Sequence, residues 1–129
     1  MKKPNLKAKL DRVFSEYIRL RDTAGHTKDG YFRCISCGQI KPYSQADCGH
    51  YIGRQHMATR FNELNCWAQC RKCNRFEEGR KADYRRNLVD RIGEDKVLLL
   101  EASQRNTAKI SDFEYEELIK FYQQKIKEF

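Results

Sequence analysis

Apolar positions change their rhythm twice along this chain. Leu6, Leu10, Val13, Phe14, Tyr17 and Ile18 recur at helical spacing with Lys and Arg on the opposite face, which predicts a helix over residues 5–22. Gly25 and the polar stretch to Gly30 end it. The helical period then disappears. Tyr31-Phe32-Arg33 reads as a short strand, Ser36-Cys37-Gly38 as a tight turn, and residues 45–53 as extended chain, where Gly49 and Gly53 argue against a helix. Residues 54–63 read as a loop, and Asn65 to Gln69 as a second short strand. Helical spacing returns from near Arg71 toward Gly79, then from Lys81 to Ile92 with Gly93 as a stop, then around Glu94 to Glu101. Ser111-Asp112-Phe113-Glu114 is a capping-box signature opening a last helix, with Tyr115, Leu118, Ile119, Tyr122 and Ile126 on one face. The outer helices read as scaffold, and the chemistry falls in the middle.

Composition narrows the class. A chain of 129 residues suits one domain, 1–129, divided into an N-terminal helix (1–30), a central core (31–80) and C-terminal helices (81–129). No apolar run approaches the roughly 20 residues of a membrane span. No apolar leader core follows Met1-Lys2-Lys3-Pro4, so the expectation is a cytoplasmic protein with no membrane partner. The net charge of +8 is concentrated in residues 1–93, because residues 94–129 hold more Asp and Glu than Lys and Arg. A basic body favours a polyanionic partner, with a merely soluble surface as the plainer reading.

The 6 cysteines are grouped. Cys34 and Cys37 form one C-x-x-C, Cys70 and Cys73 another, and Cys48 and Cys66 stand alone as expected small fillers. Two such pairs supply four thiolates to one tetrahedral Zn²⁺, a closed and therefore structural site. Redox and iron–sulfur readings fit less well, since a redox pair needs no second pair and nothing else here points to electron transfer.

Between the pairs lies Asp47-Cys48-Gly49-His50-Tyr51, with Asn65 before the second pair and Asn74 directly after it. This order resembles HNH nucleases whose zinc cysteines bracket the active site. The combination of C-x-x-C, D-x-G-H, the run Arg54–Phe61, Gln69–Asn74 and the segment Phe14–Asp22 resembles the phage NinG/Rap recombination endonucleases over roughly residues 10–93. Cys73-Asn74 followed by Glu77 and Gly79 also resembles phage endonuclease VII. The resemblance implies an α+β fold with a small zinc-stapled ββα-metal (HNH) core between helices. It also implies a DNA endonuclease of a bacterial or phage-infected cell, selective for branched recombination intermediates such as Holliday junctions or D-loops, leaving 5′-phosphate and 3′-hydroxyl ends.

Phosphodiester hydrolysis suggests the roles. His50 is the candidate general base. Asp47 and Asn74 are candidate hard-oxygen ligands for catalytic Mg²⁺ or Mn²⁺, with Glu77 or Glu78 one turn later as a possible addition. Asn65 matches the middle Asn of the motif, which orients the loop or the base. In a regular strand Asp47 and His50 face opposite sides, so a bulge or turn at Gly49 is the expected device for uniting them. Arg54, His56, Arg60, Arg71, Lys72, Arg75, Arg80 and Lys81, with Arg85 and Arg86, are candidate DNA contacts. No small-molecule cofactor is expected. A homodimer through Phe113, Tyr115, Phe121, Tyr122 and Phe129 is a further expectation. A non-catalytic zinc DNA-binding module and a sequence-reading HNH nuclease are the alternatives.

Overall fold

The computed structural model describes residues 4–129; Met1, Lys2 and Lys3, on which the expectation about a leader partly rests, lie outside the described residues. Helix α1 (Leu6–Arg21) begins where the Asn5 side chain accepts from the Ala8 N–H at 3.0 Å. It buries Leu10, Phe14, Tyr17, Ile18 and Leu20. The last of five helices among the described residues, α5 (Asp112–Lys127), packs along it through Tyr115, Ile119 and Tyr122, and its Ser111–Glu114 capping box is complete. Phe14 meets Tyr122 edge to face at 5.0 Å. The hydroxyls of Tyr17 and Tyr122 both donate to Glu63, at 3.1 and 3.0 Å, tying the two helices to the centre of the chain. Tyr115 and Tyr122 are therefore core residues, and Phe129 stacks on His26 at 4.5 Å. Of the aromatics expected at a dimer face, Phe113 and Phe121 are exposed on the outer side of α5, and Phe129 is exposed beyond its end.

Two small antiparallel sheets fill the middle. Strand β1 (Tyr31–Arg33) pairs with β2 (Ile40–Pro42), a strand too short to leave a period in the sequence. Strand β3 (Ala46–His50) pairs with β4 (Cys66–Cys70), Asp47 opposite Gln69 and His50 opposite Cys66. That register is unbroken, so the expected bulge at Gly49 is absent. Glycine is required there for a different reason. A Cβ at Gly49 would lie 2.3 Å from Gln69 Oε1 and 2.8 Å from Gln69 Cβ. The loop between β3 and β4 holds a single turn, α2 (Met57–Arg60), and a 3₁₀ turn at Glu63–Asn65.

The expected helix from Arg71 toward Gly79 is replaced by a π-helical turn, Lys72–Phe76, followed by three left-handed residues: Glu78 (φ 52), Gly79 (φ 80) and Arg80 (φ 44). The Gly79 carbonyl explains the break. It is drawn inward to accept from Ser36 Oγ at 3.0 Å and Gln69 Nε2 at 2.6 Å, positions a continuing helix would leave behind. Helices α3 (Lys81–Ile92) and α4 (Glu94–Ser103) then close a core of Ile35, Tyr84, Leu88, Val97 and Leu100. Burying each of these aliphatic side chains contributes about 1.5–3 kcal/mol. The Tyr84 hydroxyl donates to the Gly49 carbonyl at 2.6 Å, so α3 fixes the end of β3. No helix among the described residues is long and apolar enough to cross a membrane.

Candidate functional site

Three elements converge on a four-cysteine cluster. Cys34 and Cys37 sit on the turn after β1, Cys70 ends β4, and Cys73 lies in the π turn. Their sulfur atoms all lie within 4.8 Å of one another, Cys37 and Cys70 at 3.9 Å. Around a tetrahedral ion with metal–sulfur bonds of about 2.3 Å, sulfurs stand about 3.8 Å apart, so a small contraction seats an ion. Burial pushes the Cys70 and Cys73 thiols up. Burial also raises Cys34, but N–H donors from Cys70, Cys37 and Ser36 outweigh it and lower that thiol. Four thiolates this close need a cation to remain charged. Phe32, Ala46 and Ala68 pack around the cluster. The group is able to hold a metal in a closed, structural manner.

Beside it, an open cleft of ≈ 770 Å³ lies between α1, β3 and the π turn. Its lining includes Asp11, Arg12, Glu16 and Arg19 of α1, Asp47, Cys48 and His50 of β3, Arg54, Asn74 and Arg75. His50 Nε2 is 3.0 Å from the Arg60 carbonyl oxygen. A carbonyl only accepts, so Nε2 carries the proton and Nδ1 keeps its lone pair. Burial lowers the His50 pKa to about 4, which keeps the ring neutral at physiological pH. Strand alternation puts Cys48 and His50 on one face and Asp47 on the other, yet all three border the cleft.

Asp47 is fully engaged. Arg75 grips its carboxylate with Nε at 2.8 Å and Nη2 at 2.9 Å, and Asn74 Nδ2 donates to it at 3.0 Å. The Asp47 carboxylate and Asn74 amide are thus neighbours, a pair of hard-oxygen groups of the kind Mg²⁺ accepts. Asn65 is completely buried and ties the β3–β4 loop. It donates to the carbonyls of Ile52 (3.0 Å) and Thr59 (3.2 Å) and accepts from the Ile52 N–H (2.8 Å). That loop carries the Arg60 carbonyl that orients His50.

Several expected positions are placed elsewhere. Glu77 turns away from Asp47 and Asn74, pairing with Lys72 at 3.7 Å and Arg80 at 3.5 Å. Arg60 is not a surface contact: it is buried, bonded to Asp11 at 2.5 and 3.0 Å and to the Arg54 carbonyl at 2.9 Å. The Lys81 ammonium is committed to the carbonyls of His50 and Tyr51. His56 faces the Gln104 carbonyl at 3.1 Å. Arg80 and Arg86 both pair with Asp83, and Arg85 with Glu94 and Glu101. Arg54 is exposed at the cleft and pairs with Asp11 at 2.9 Å; Arg71 and Lys72 are exposed beside the cysteines. Sequence reasoning missed the wall that α1 supplies. Asp11, Arg12, Ser15, Glu16 and Arg19 recur at helical spacing, on a helix whose sequence reads only as scaffold.

Comparison with known proteins agrees over most of the chain. A family model described as Bacteriophage Lambda NinG protein matches residues 2–129. Protein ninG of Escherichia phage lambda is 38% identical over 104 residues, covering 78% of this chain and 49% of the relative. Protein ninG of Escherichia phage 933W is 36% identical over 104 residues (78% and 50%), and that of Salmonella phage P22 is 35% identical over 104 residues (78% and 49%). The chain thus spans about half the length of the curated relatives it matches. No solved structure gives a significant match. With the family model spanning all but its first residue, the chain belongs to the NinG family of bacteriophage proteins.

Proposed function

We propose that this chain is a metal-dependent DNA endonuclease of HNH type, with a ββα-metal core formed by β3, β4 and the π turn and stapled by Zn²⁺ on the four cysteines. One observation carries the reading. His50, with Nε2 held by a carbonyl and the lone pair of Nδ1 left free, shares one cleft with the Asp47–Asn74 pair. His50 Nδ1 accepts the proton of the attacking water, and the 3′ oxygen leaves as its bond to phosphorus breaks. Asp47 and Asn74 are the residues that would hold Mg²⁺ or Mn²⁺, which when bound stabilises charge on the phosphoryl group and leaving oxygen. Asn65 is a positioning residue, acting through the loop that carries the Arg60 carbonyl. Arg12, Arg19, Arg54 and Arg75 line the cleft and are the proposed phosphate contacts.

Selectivity for branched recombination intermediates is part of this proposal and follows the family resemblance. A four-way junction offers two equivalent strands, so a symmetric dimer fits it, with Phe113 and Phe121 as the exposed apolar surface. Light scattering at micromolar concentration checks that part, and a monomer contradicts it. The test of the whole is a cleavage panel of four-way junctions, D-loops and linear duplexes, with Mg²⁺, Mn²⁺ or neither. Cutting of junctions of unrelated sequence, dependent on metal, is expected. Cutting confined to one sequence on linear duplex would point instead to a sequence-reading enzyme.

A second reading has its own observation. Both Asp47 oxygens accept bonds from Arg75 or Asn74, which is the arrangement of a structural anion. On that reading the chain is a non-catalytic zinc DNA-binding module, and the same panel returns binding without cutting.

A further inference from the structure

The face of β3 turned toward α1 carries a second thiol-rich group. Cys48 and His50 alternate onto that face, and Cys66 lies directly opposite His50 on β4. One ligand atom from each of the three lies within 4.8 Å of the others. None of the three belongs to the four-cysteine cluster. Cys66 is buried against Leu10, Phe14 and Ile18, whereas Cys48 and His50 border the cleft.

The chemistry of this group is selective. Two thiols and an imidazole suit zinc or cadmium and repel a hard ion such as Mg²⁺. With metal–sulfur bonds of about 2.3 Å and metal–nitrogen bonds of about 2.0 Å, tetrahedral ligand atoms stand about 3.3–3.8 Å apart. Shifts of about 1 Å therefore close these three onto one ion, leaving the fourth position toward the cleft. The imidazole is held beside the sulfurs by a backbone carbonyl, the kind of support that orients histidine ligands. The Arg60 carbonyl supplies that support at 3.0 Å and lies 3.6 Å from Cys66 Sγ.

We infer that Cys48, His50 and Cys66 form a second, inhibitory site for a thiophilic divalent ion of the zinc and cadmium class. Binding releases the two thiol protons to solvent and forms two metal–sulfur bonds and one metal–nitrogen bond to the His50 imidazole. The bound ion occupies the lone pair that would take the proton of water, so cutting stops while it is held. That consequence rests on the nuclease reading; the binding itself does not.

The experiment has two arms, both on the full chain. In the first, protein refolded with one equivalent of Cd²⁺, enough to fill the four-cysteine cluster, is titrated with further Cd²⁺ while thiolate-to-cadmium absorption is recorded. The absorption rises through a second equivalent in the wild type and stops after one in Cys66→Val and in Cys48→Ala. A wild-type signal that ends at one equivalent overturns the site. In the second arm, each protein carrying one equivalent of Zn²⁺ is assayed for Mg²⁺-supported cutting with and without further Zn²⁺, and the ratio is taken within each protein. At free zinc of about ten times the site's Kd the wild type loses about tenfold, following 1/(1 + [L]/Kd), and both variants lose less than about twofold. Equal zinc sensitivity in wild type and variants overturns the control of His50, as does a wild type that binds the second ion yet cuts undiminished. A chain that never cuts sinks the nuclease reading, and the cadmium arm then decides the site alone.

Discussion

The four-cysteine cluster and the adjoining cleft share β3 and the π turn, yet they are built on opposite plans. The cluster is closed: four like ligands face inward, packed around by Phe32, Ala46 and Ala68, and as thiolates they need a cation between them. The cleft is open, and each of its key groups is already held by a protein partner: His50 by the Arg60 carbonyl, Asp47 by Arg75 and Asn74. The contrast separates what holds the fold together from what is left able to react. Damage to the cluster should unfold the protein. Damage to the cleft should leave it folded and alter its chemistry.

The largest effect should follow removal of a cluster ligand. Cys70→Ala, or a strong chelator applied to the wild type, should cost several kcal/mol, because binding energy at a structural zinc site is folding energy. Circular dichroism melts with and without added Zn²⁺ check this, with the expected loss of a cooperative transition. An unchanged melt would erase the distinction between the two regions. Asn65→Ala comes next, at about 3 kcal/mol, since it strands the buried N–H and carbonyl of Ile52 and the carbonyl of Thr59. Chemical denaturation measures it, and a loss below about 1 kcal/mol would show that the loop is held by other means.

The cluster was legible in the sequence because a C-x-x-C spacing maps directly onto a turn with two convergent sulfurs. The long helices were legible for a similar reason: α1, α3 and α5 carry an apolar stripe, with a Gly93 stop on α3 and a Ser111 capping box on α5. The cleft was only half legible. His50 and Asn74 stand in a motif, but half the wall comes from the polar side of α1, which looks like any solvated helix face until the tertiary fold is known. Arg60 and Lys81 read as surface cations, and their burial or capture by carbonyls depends on long-range contacts to Asp11 and to the end of β3. The π turn was hidden because its cause, the pull of Ser36 and Gln69 on the Gly79 carbonyl, spans distant positions in the chain.

Smaller effects probe the cleft wall. Burial pushes the Asp11 carboxyl up, but the bonds and charges of Arg60 and Arg54 outweigh it and hold the group below its ordinary value. Its contribution to stability is therefore fully present above the ordinary carboxylate value and is lost as pH falls through the lower folded value. Asp11→Asn should cost about 2 kcal/mol at neutral pH, less than a fully buried pair because both partners keep some exposure. The difference from wild type should shrink toward acid pH, which a series of denaturant titrations would register. The smallest effect is expected at Arg75, an exposed partner of Asp47. Arg75→Ala should lower the Mg²⁺ concentration for half-maximal cutting by about two- to fivefold, the worth of one exposed ion pair. An unchanged Mg²⁺ requirement would argue that Asp47 is a structural anion.

The proposed chemistry turns on His50 Nδ1 as the base that activates water. Single-turnover cutting of a four-way junction by His50→Ala, at saturating DNA and Mg²⁺, isolates that role. The expected rate is lower by about 10²–10⁴-fold, with DNA binding and the thermal melt little changed. A variant that cuts at the wild-type rate, or a wild type that binds the junction and never cuts it, would rule the role out.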